Sequence, residues 1–110
     1  MGNYEAALAT YQSALKIQER AFGPNHPRLA LLLNNIGDMY GKKGDAATAL
    51  PLYQRARQLR AQSLGREHPK MIYFITNEAA GYMGVGKIEK AWTCFQEAMI
   101  IATGKKMGHT

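Results

Sequence analysis

The chain has 110 residues, of which 46% are hydrophobic and 20% are charged, a composition typical of one small globular domain. No apolar run approaches the roughly 18 residues of a membrane-spanning helix, and the first residues lack the basic and apolar regions of a secretory signal. The net charge of +6 favours acidic partners, which include acidic peptides, nucleic acid and anionic membranes.

Five helices are predicted in chain order, and no segment has the alternating pattern of a strand. Pro27 and Pro69 open the second and fourth helices, because a proline in the first helical turn loses no hydrogen bond. Gly44 and Gly86 supply the turns before the third and fifth helices. The predicted helices are about 3–22, 28–42, 45–64, 70–85 and 87–103, which form a helical-repeat domain over 1–104, followed by a short basic tail at 105–110.

The third predicted helix carries a conflict with helical geometry. Asp45 is placed to cap its first turn. Pro51 lies inside the helical pattern, where it removes a backbone hydrogen bond. The sequence therefore predicts a bend near Ala47–Pro51.

An internal repeat with a period of 42 residues organises the chain. Residues 2–43 and 44–85 share eleven identities without a gap, and they fall on small, aromatic and turn positions. The sets that align are Gly2, Gly44 and Gly86; Ala7, Ala49 and Ala91; Tyr11, Tyr53 and Phe95; Ala14, Ala56 and Ala98; Asn35 and Asn77; and Tyr40 and Tyr82. Small side chains at these positions favour close helix crossings, with the aromatic rings as core.

Catalytic, metal and cofactor chemistry finds no support in the sequence. Cys94 is the one cysteine, so no disulfide can form within the chain and a reducing, cytoplasmic location is expected. Cys94 lies in a helical pattern without a neighbouring histidine, so we expect a packed thiol. His26 and His68 occupy equivalent loops of different units, which is not a ligand spacing. The chain is therefore not expected to be an enzyme or to bind a cofactor.

Several strings resemble the tetratricopeptide repeat (TPR), in the 42-residue form of kinesin light chains. They are Leu33-Asn34-Asn35-Ile36-Gly37, Tyr40-Gly41-Lys42-Lys43-Gly44, Pro51-Leu52-Tyr53-Gln54-Arg55-Ala56 and Gly65-Arg66-Glu67-His68-Pro69. The resemblance spans about residues 2–103. It implies an all-α fold, a right-handed superhelical α-solenoid of antiparallel helix pairs, and a role as a protein–protein interaction scaffold. One departure is Glu78, which stands where the family has leucine and the preceding unit has Ile36.

The resemblance also implies a concave groove that binds a peptide segment of a partner. In such a fold the first helix of each helix pair lines the groove. The residues expected to line it here are Leu31, Asn34, Asn35, Asp38, Lys42, Tyr73, Thr76, Asn77 and Ala80. Asn35 and Asn77, one repeat apart, could pair with a peptide main chain, since an amide both donates and accepts. The alternative is that these amides bond neighbouring helix backbone.

Kinesin light chain grooves favour aromatic residues flanked by acids. By this resemblance Arg28, Lys42, Lys43 and Lys70 could attract an acidic partner. The alternative is that these side chains are solvated bases at helix ends.

Two further hypotheses remain open from the sequence. A basic two-helix repeat is compatible with RNA binding, although the bases are scattered over the chain. The array contains two and a half units, so its end helices could associate with another copy. The residues expected to mediate such self-association are Leu8, Tyr11, Trp92, Phe95 and Met99.

Overall fold

The computed structural model describes residues 3–104, and the predicted tail at 105–110 lies outside the described residues. The elements are α1 (Tyr4–Phe22), a 3-10 turn (Pro27–Leu29), α2 (Ala30–Lys42), α3 (Ala46–Leu64), α4 (Met71–Gly84) and α5 (Ile88–Thr103). No strand occurs in this described range. The fold is therefore all-helical, as the repeat pattern predicts.

Turn and capping residues act where the sequence places them. Gly44 and Gly86 have φ of +86° and +82°, a conformation that a side chain would strain. Asp45 caps α3 by accepting a 3.1 Å hydrogen bond from the Thr48 amide. The helix α3 continues through Pro51 without an interruption, and the bend there stays a prediction.

The Gly-x-x-His-Pro segments have a structural role that sequence reasoning missed. In each unit the histidine Nδ1 accepts a 3.0 Å hydrogen bond from a backbone amide two residues later, His26 from Arg28 and His68 from Lys70. After His26 the chain forms a 3-10 turn, so α2 begins at Ala30, two residues later than predicted. The histidine hydrogen bond therefore closes the loop that precedes α2 in one unit and the loop that precedes α4 in the next.

The helices pack in two rows. α2 and α4 lie side by side in one row and contact each other, and α3 packs against both. The second row is bridged by ion pairs, Arg55 to Glu19 between α3 and α1, and Arg57 to Glu97 between α3 and α5. The core between the rows contains Leu29, Ala30, Leu33, Ala56, Leu59, Met71, Phe74, Ile75, Ala79, Ala91, Cys94 and Ala98. The resulting α-solenoid measures 50 × 30 × 17 Å.

The two complete units repeat side-chain contacts as well as helices. Gln12 donates from Nε2 to the Tyr40 hydroxyl at 3.3 Å, and Gln54 donates in the same way to Tyr82 at 3.0 Å. Positions 42 residues apart can therefore be compared as equivalent sites.

Candidate functional site

A groove opens between α2 and α4, above α3. It has a volume of about 360 Å³ and is lined by Asp38, Gly41, Lys42, Ala46, Ala49, Tyr53, Asn77, Ala80, Gly81 and Gly84. We call it the α2–α4 groove. Glycines and alanines make up most of its wall, which leaves room for another backbone to approach closely.

A buried hydrogen bond fixes the polar wall of the groove. The Tyr53 hydroxyl donates to Asp38 Oδ1 at 2.6 Å, and the Tyr53 side chain is buried. Burial raises the pKa of Tyr53, and the bond to Asp38 raises it further. The phenol therefore remains a neutral donor and holds the Asp38 carboxylate in one orientation.

Gly37 allows the Tyr53 ring to take this position. A Cβ at Gly37 would lie 2.9 Å from Tyr53 Cε1 and 3.1 Å from Cδ1, closer than side-chain carbons normally approach. The absence of a side chain at Gly37 thus sets the distance between α2 and α3 beneath the groove.

Four of the predicted groove residues line this groove together: Asp38, Lys42, Asn77 and Ala80. The Nδ2 atom of Asn77 is buried and has no hydrogen-bond partner within residues 3–104. Asn35, the equivalent of Asn77, is half-buried and lies outside the groove lining. The two asparagines, which the sequence predicts to bind the same peptide, therefore do not both line this groove.

Other predicted groove residues lie elsewhere. Asn34 is completely buried, so the prediction that it faces the groove surface is wrong. It lies one turn before Asp38 in α2, and its side chain is packed in the protein interior. Leu31 and Tyr73, which are equivalent, remain exposed at 58% and 46%. The Thr76 hydroxyl is used within α4, where it donates to the Tyr73 carbonyl at 3.1 Å.

The predicted basic residues have different surroundings. Lys42 lines the groove and has no ion-pair partner in the described part of the chain. Lys43 is turned away and pairs with Glu5 of α1 at 3.0 Å, so it is already engaged. The Arg28 guanidinium lies over the Phe22 ring, 5.2 Å from its centre. Lys70 is exposed. Lys42 is therefore the predicted base that belongs to the groove.

A second cleft, of about 460 Å³, lies on the other side of α4 and contains an ion-pair network. Arg57 reaches Glu78 at 3.3 Å and Glu97 at 3.1 Å. Burial disfavours the charge on Arg57, but the bonds to Glu97 and Glu78 outweigh it and raise the pKa of the guanidinium. Glu78, which departs from the repeat pattern, is thus explained by a partner on α3.

Cys94 lies beside this network and is buried. Burial raises the pKa of the thiol, and the charge of Glu78 adds to this. The thiol is therefore protonated and packed. Within residues 3–104, no group of three or more potential ligands could hold a metal ion. No helix in the same range is long and apolar enough to cross a membrane.

The end helices expose apolar side chains unequally. On α5, Trp92, Phe95 and Met99 are 63%, 42% and 55% exposed. On α1, Leu8 is buried and Tyr11 is half-buried, because α2 packs against this helix. The prediction that Leu8 forms an exposed contact surface is therefore wrong.

Comparison with known families agrees with the repeat geometry. A family model described as tetratricopeptide repeat matches residues 1–62 and, in a second register, residues 28–99. No curated protein in the comparison matches the chain.

Proposed function

Because the chain belongs to the tetratricopeptide repeat family, whose repeats mediate protein–protein interactions, we propose that it binds a peptide segment of a partner protein in the α2–α4 groove. In this proposal the chain is a scaffold module and catalyses no reaction.

The observation that carries the proposal is the unpartnered amide of Asn77. A buried N–H group without an acceptor is unfavourable by about 1–3 kcal/mol. Among residues 3–104, Asn77 Nδ2 is such a group, and Asn77 lines an open groove. The backbone carbonyl of an extended peptide would supply the missing acceptor without demanding a particular peptide side chain.

The groove wall supports a finer proposal about the peptide. Asp38 is already held by Tyr53, whereas Lys42 has no partner among the described residues. An acidic peptide residue would therefore be stabilised near Lys42 and disfavoured near Asp38. Leu31 and Tyr73 offer exposed apolar surface on the same two helices for an aromatic peptide residue. This chemistry is similar to that of kinesin light chain grooves.

Replacing Asn77 tests the proposal directly. Peptides selected from a random display library on the immobilised chain supply a ligand, and calorimetry measures its affinity. We expect Asn77→Ala to weaken binding about tenfold, the effect of one lost hydrogen bond of about 1.4 kcal/mol. Its thermal unfolding midpoint should not fall, since Asn77 Nδ2 has no hydrogen-bond partner within residues 3–104.

Asn35→Ala is the matched control, because Asn35 is the equivalent residue outside the groove lining. It should leave the affinity unchanged. Equal affinities for the parent, Asn77→Ala and Asn35→Ala would refute the groove assignment. An RNA-binding function would instead appear as oligonucleotide binding that falls steeply with rising salt.

A further inference from the structure

The helix α5 carries an exposed apolar stripe formed by Ile88, Trp92, Phe95 and Met99. Their spacing of four, three and four residues places all of them on one helix face. They are 55%, 63%, 42% and 55% exposed. We call this surface the α5 stripe. A continuous apolar stripe of this kind marks an interaction surface more often than an inert one.

On α3, the equivalents of Ile88, Trp92 and Met99 are covered by α4, whereas Tyr53, the equivalent of Phe95, packs against Gly37 and Asp38 of α2. The Leu50 side chain is 9% exposed, and the backbone of Gly81 approaches it so closely that an added Cβ would lie 3.0 Å from Leu50 Cδ1. At one end of the stripe Ala46 meets Gly84. At the other end Arg57 pairs with Glu78. The positions that correspond to the α5 stripe therefore form a helix–helix interface in the preceding unit.

Each position of the α5 stripe is larger or less polar than its covered equivalent. Ala46 becomes Ile88, Leu50 becomes Trp92, Tyr53 becomes Phe95 and Arg57 becomes Met99. The hydrogen-bonding partner changes together with the tyrosine, since Asp38 becomes Ala80. A helix face that stays exposed to water is normally polar. The α5 residues are instead larger or less polar than their equivalents on α3, which favours contact with another apolar surface.

We propose that the α5 stripe is a docking site for an amphipathic α-helix of a partner protein, which lies on α5 as α4 lies on α3. This site is separate from the α2–α4 groove. The partner helix carries a small residue opposite Trp92, as Gly81 lies opposite Leu50. Opposite Met99 it carries an apolar residue, because a carboxylate there would be buried without a cation.

The first unit provides a precedent for the apolar pair. Leu15 and Ile36, the equivalents of Arg57 and Glu78, line one cavity between α1, α2 and α3. The partner helix should therefore resemble α4 with isoleucine in place of Glu78.

Two synthetic peptides test this proposal, one spanning residues 69–86 and one with the same sequence and Glu78→Ile. Trp92 is the chain's only tryptophan and neither peptide contains one, so tryptophan fluorescence reports on the α5 stripe alone. We expect the Glu78→Ile peptide to cause a saturable blue shift and to protect Trp92 from acrylamide. Its binding should be at least about tenfold tighter than that of the unsubstituted peptide, which buries an unpaired carboxylate.

Variants of the intact chain provide the controls. Met99→Arg, which restores the cation that Arg57 supplies in the preceding unit, should abolish most of the preference for the Glu78→Ile peptide. Ile17→Glu, which alters an exposed apolar residue on α1, should leave binding unchanged. No blue shift, or equal binding of the two peptides, overturns the proposal. It is also overturned if Trp92 shifts with protein concentration alone and light scattering gives a dimer mass, since the occupant is then a second copy.

Discussion

Arg57→Leu should lower the free energy of unfolding by about 2–3 kcal/mol, because it leaves the buried carboxylate of Glu78 without its cation. The Glu78 side chain is 10% exposed, and Arg57 reaches it at 3.3 Å from a side chain that is 22% exposed. This partial exposure places the expected loss below that of a fully buried pair. Urea denaturation followed by circular dichroism measures the loss.

The first unit supplies a control for this prediction. Combining Arg57→Leu with Glu78→Ile installs the residues found at Leu15 and Ile36. The double variant should regain stability to within about 1 kcal/mol of the parent, since an apolar pair of similar volume often replaces an ion pair without loss. Equal instability of the single and double variants would show that the loss does not come from the unpaired carboxylate.

The ion pair between Arg57 and Glu78 also shows how much could be predicted from the sequence. Glu78 was recognisable as a departure from the pattern, but its partner Arg57 lies on α3, 21 residues away in the chain. Arg57 also pairs with Glu97 on α5. A signal was nevertheless present. The two apolar residues Leu15 and Ile36 change to Arg57 and Glu78 in the next unit, and paired changes of this kind indicate contact between equivalent positions.

The candidate site was predictable in part for a similar reason. The repeat pattern predicts which helices line the groove, and the structure brings the predicted residues Asp38, Lys42 and Asn77 together in one cavity. It does not give the burial of each position on α2. The Asn34 side chain is completely buried, and neither polar atom of its amide is hydrogen-bonded within residues 3–104. Burial of a single helical position thus depends on the neighbouring helix and not on its own pattern.

Gly37→Ala should lower the free energy of unfolding by about 2 kcal/mol, as expected for an extra methyl group in a packed core. The new Cβ would lie 2.9 Å from a ring carbon of Tyr53. That ring cannot move aside without lengthening the 2.6 Å bond from its hydroxyl to Asp38. Thermal and urea denaturation of the purified variant measure the effect.

Gly41→Ala is the matched control on the same helix. A Cβ at Gly41 would lie 3.6 Å from the Tyr53 hydroxyl, which is an ordinary contact. This variant should be as stable as the parent or gain up to about 0.5 kcal/mol, because alanine is more favourable than glycine within a helix and Gly41 lies in the last turn of α2. If Gly37→Ala were as stable as Gly41→Ala, the Tyr53 ring would not set the helix spacing.

The second unit indicates how the strain at position 37 can be relieved. There the equivalents of Gly37, Tyr53 and Asp38 are Ala79, Phe95 and Ala80, so the methyl group occurs together with a ring that has no hydroxyl anchor. Phe95 is 42% exposed, whereas Tyr53 is 6% exposed. Adding Tyr53→Phe to Gly37→Ala should therefore cost less than the sum of the two single losses, by about 1 kcal/mol in a double-mutant cycle. Strict additivity would mean that the hydrogen bond to Asp38 does not hold the ring against Gly37.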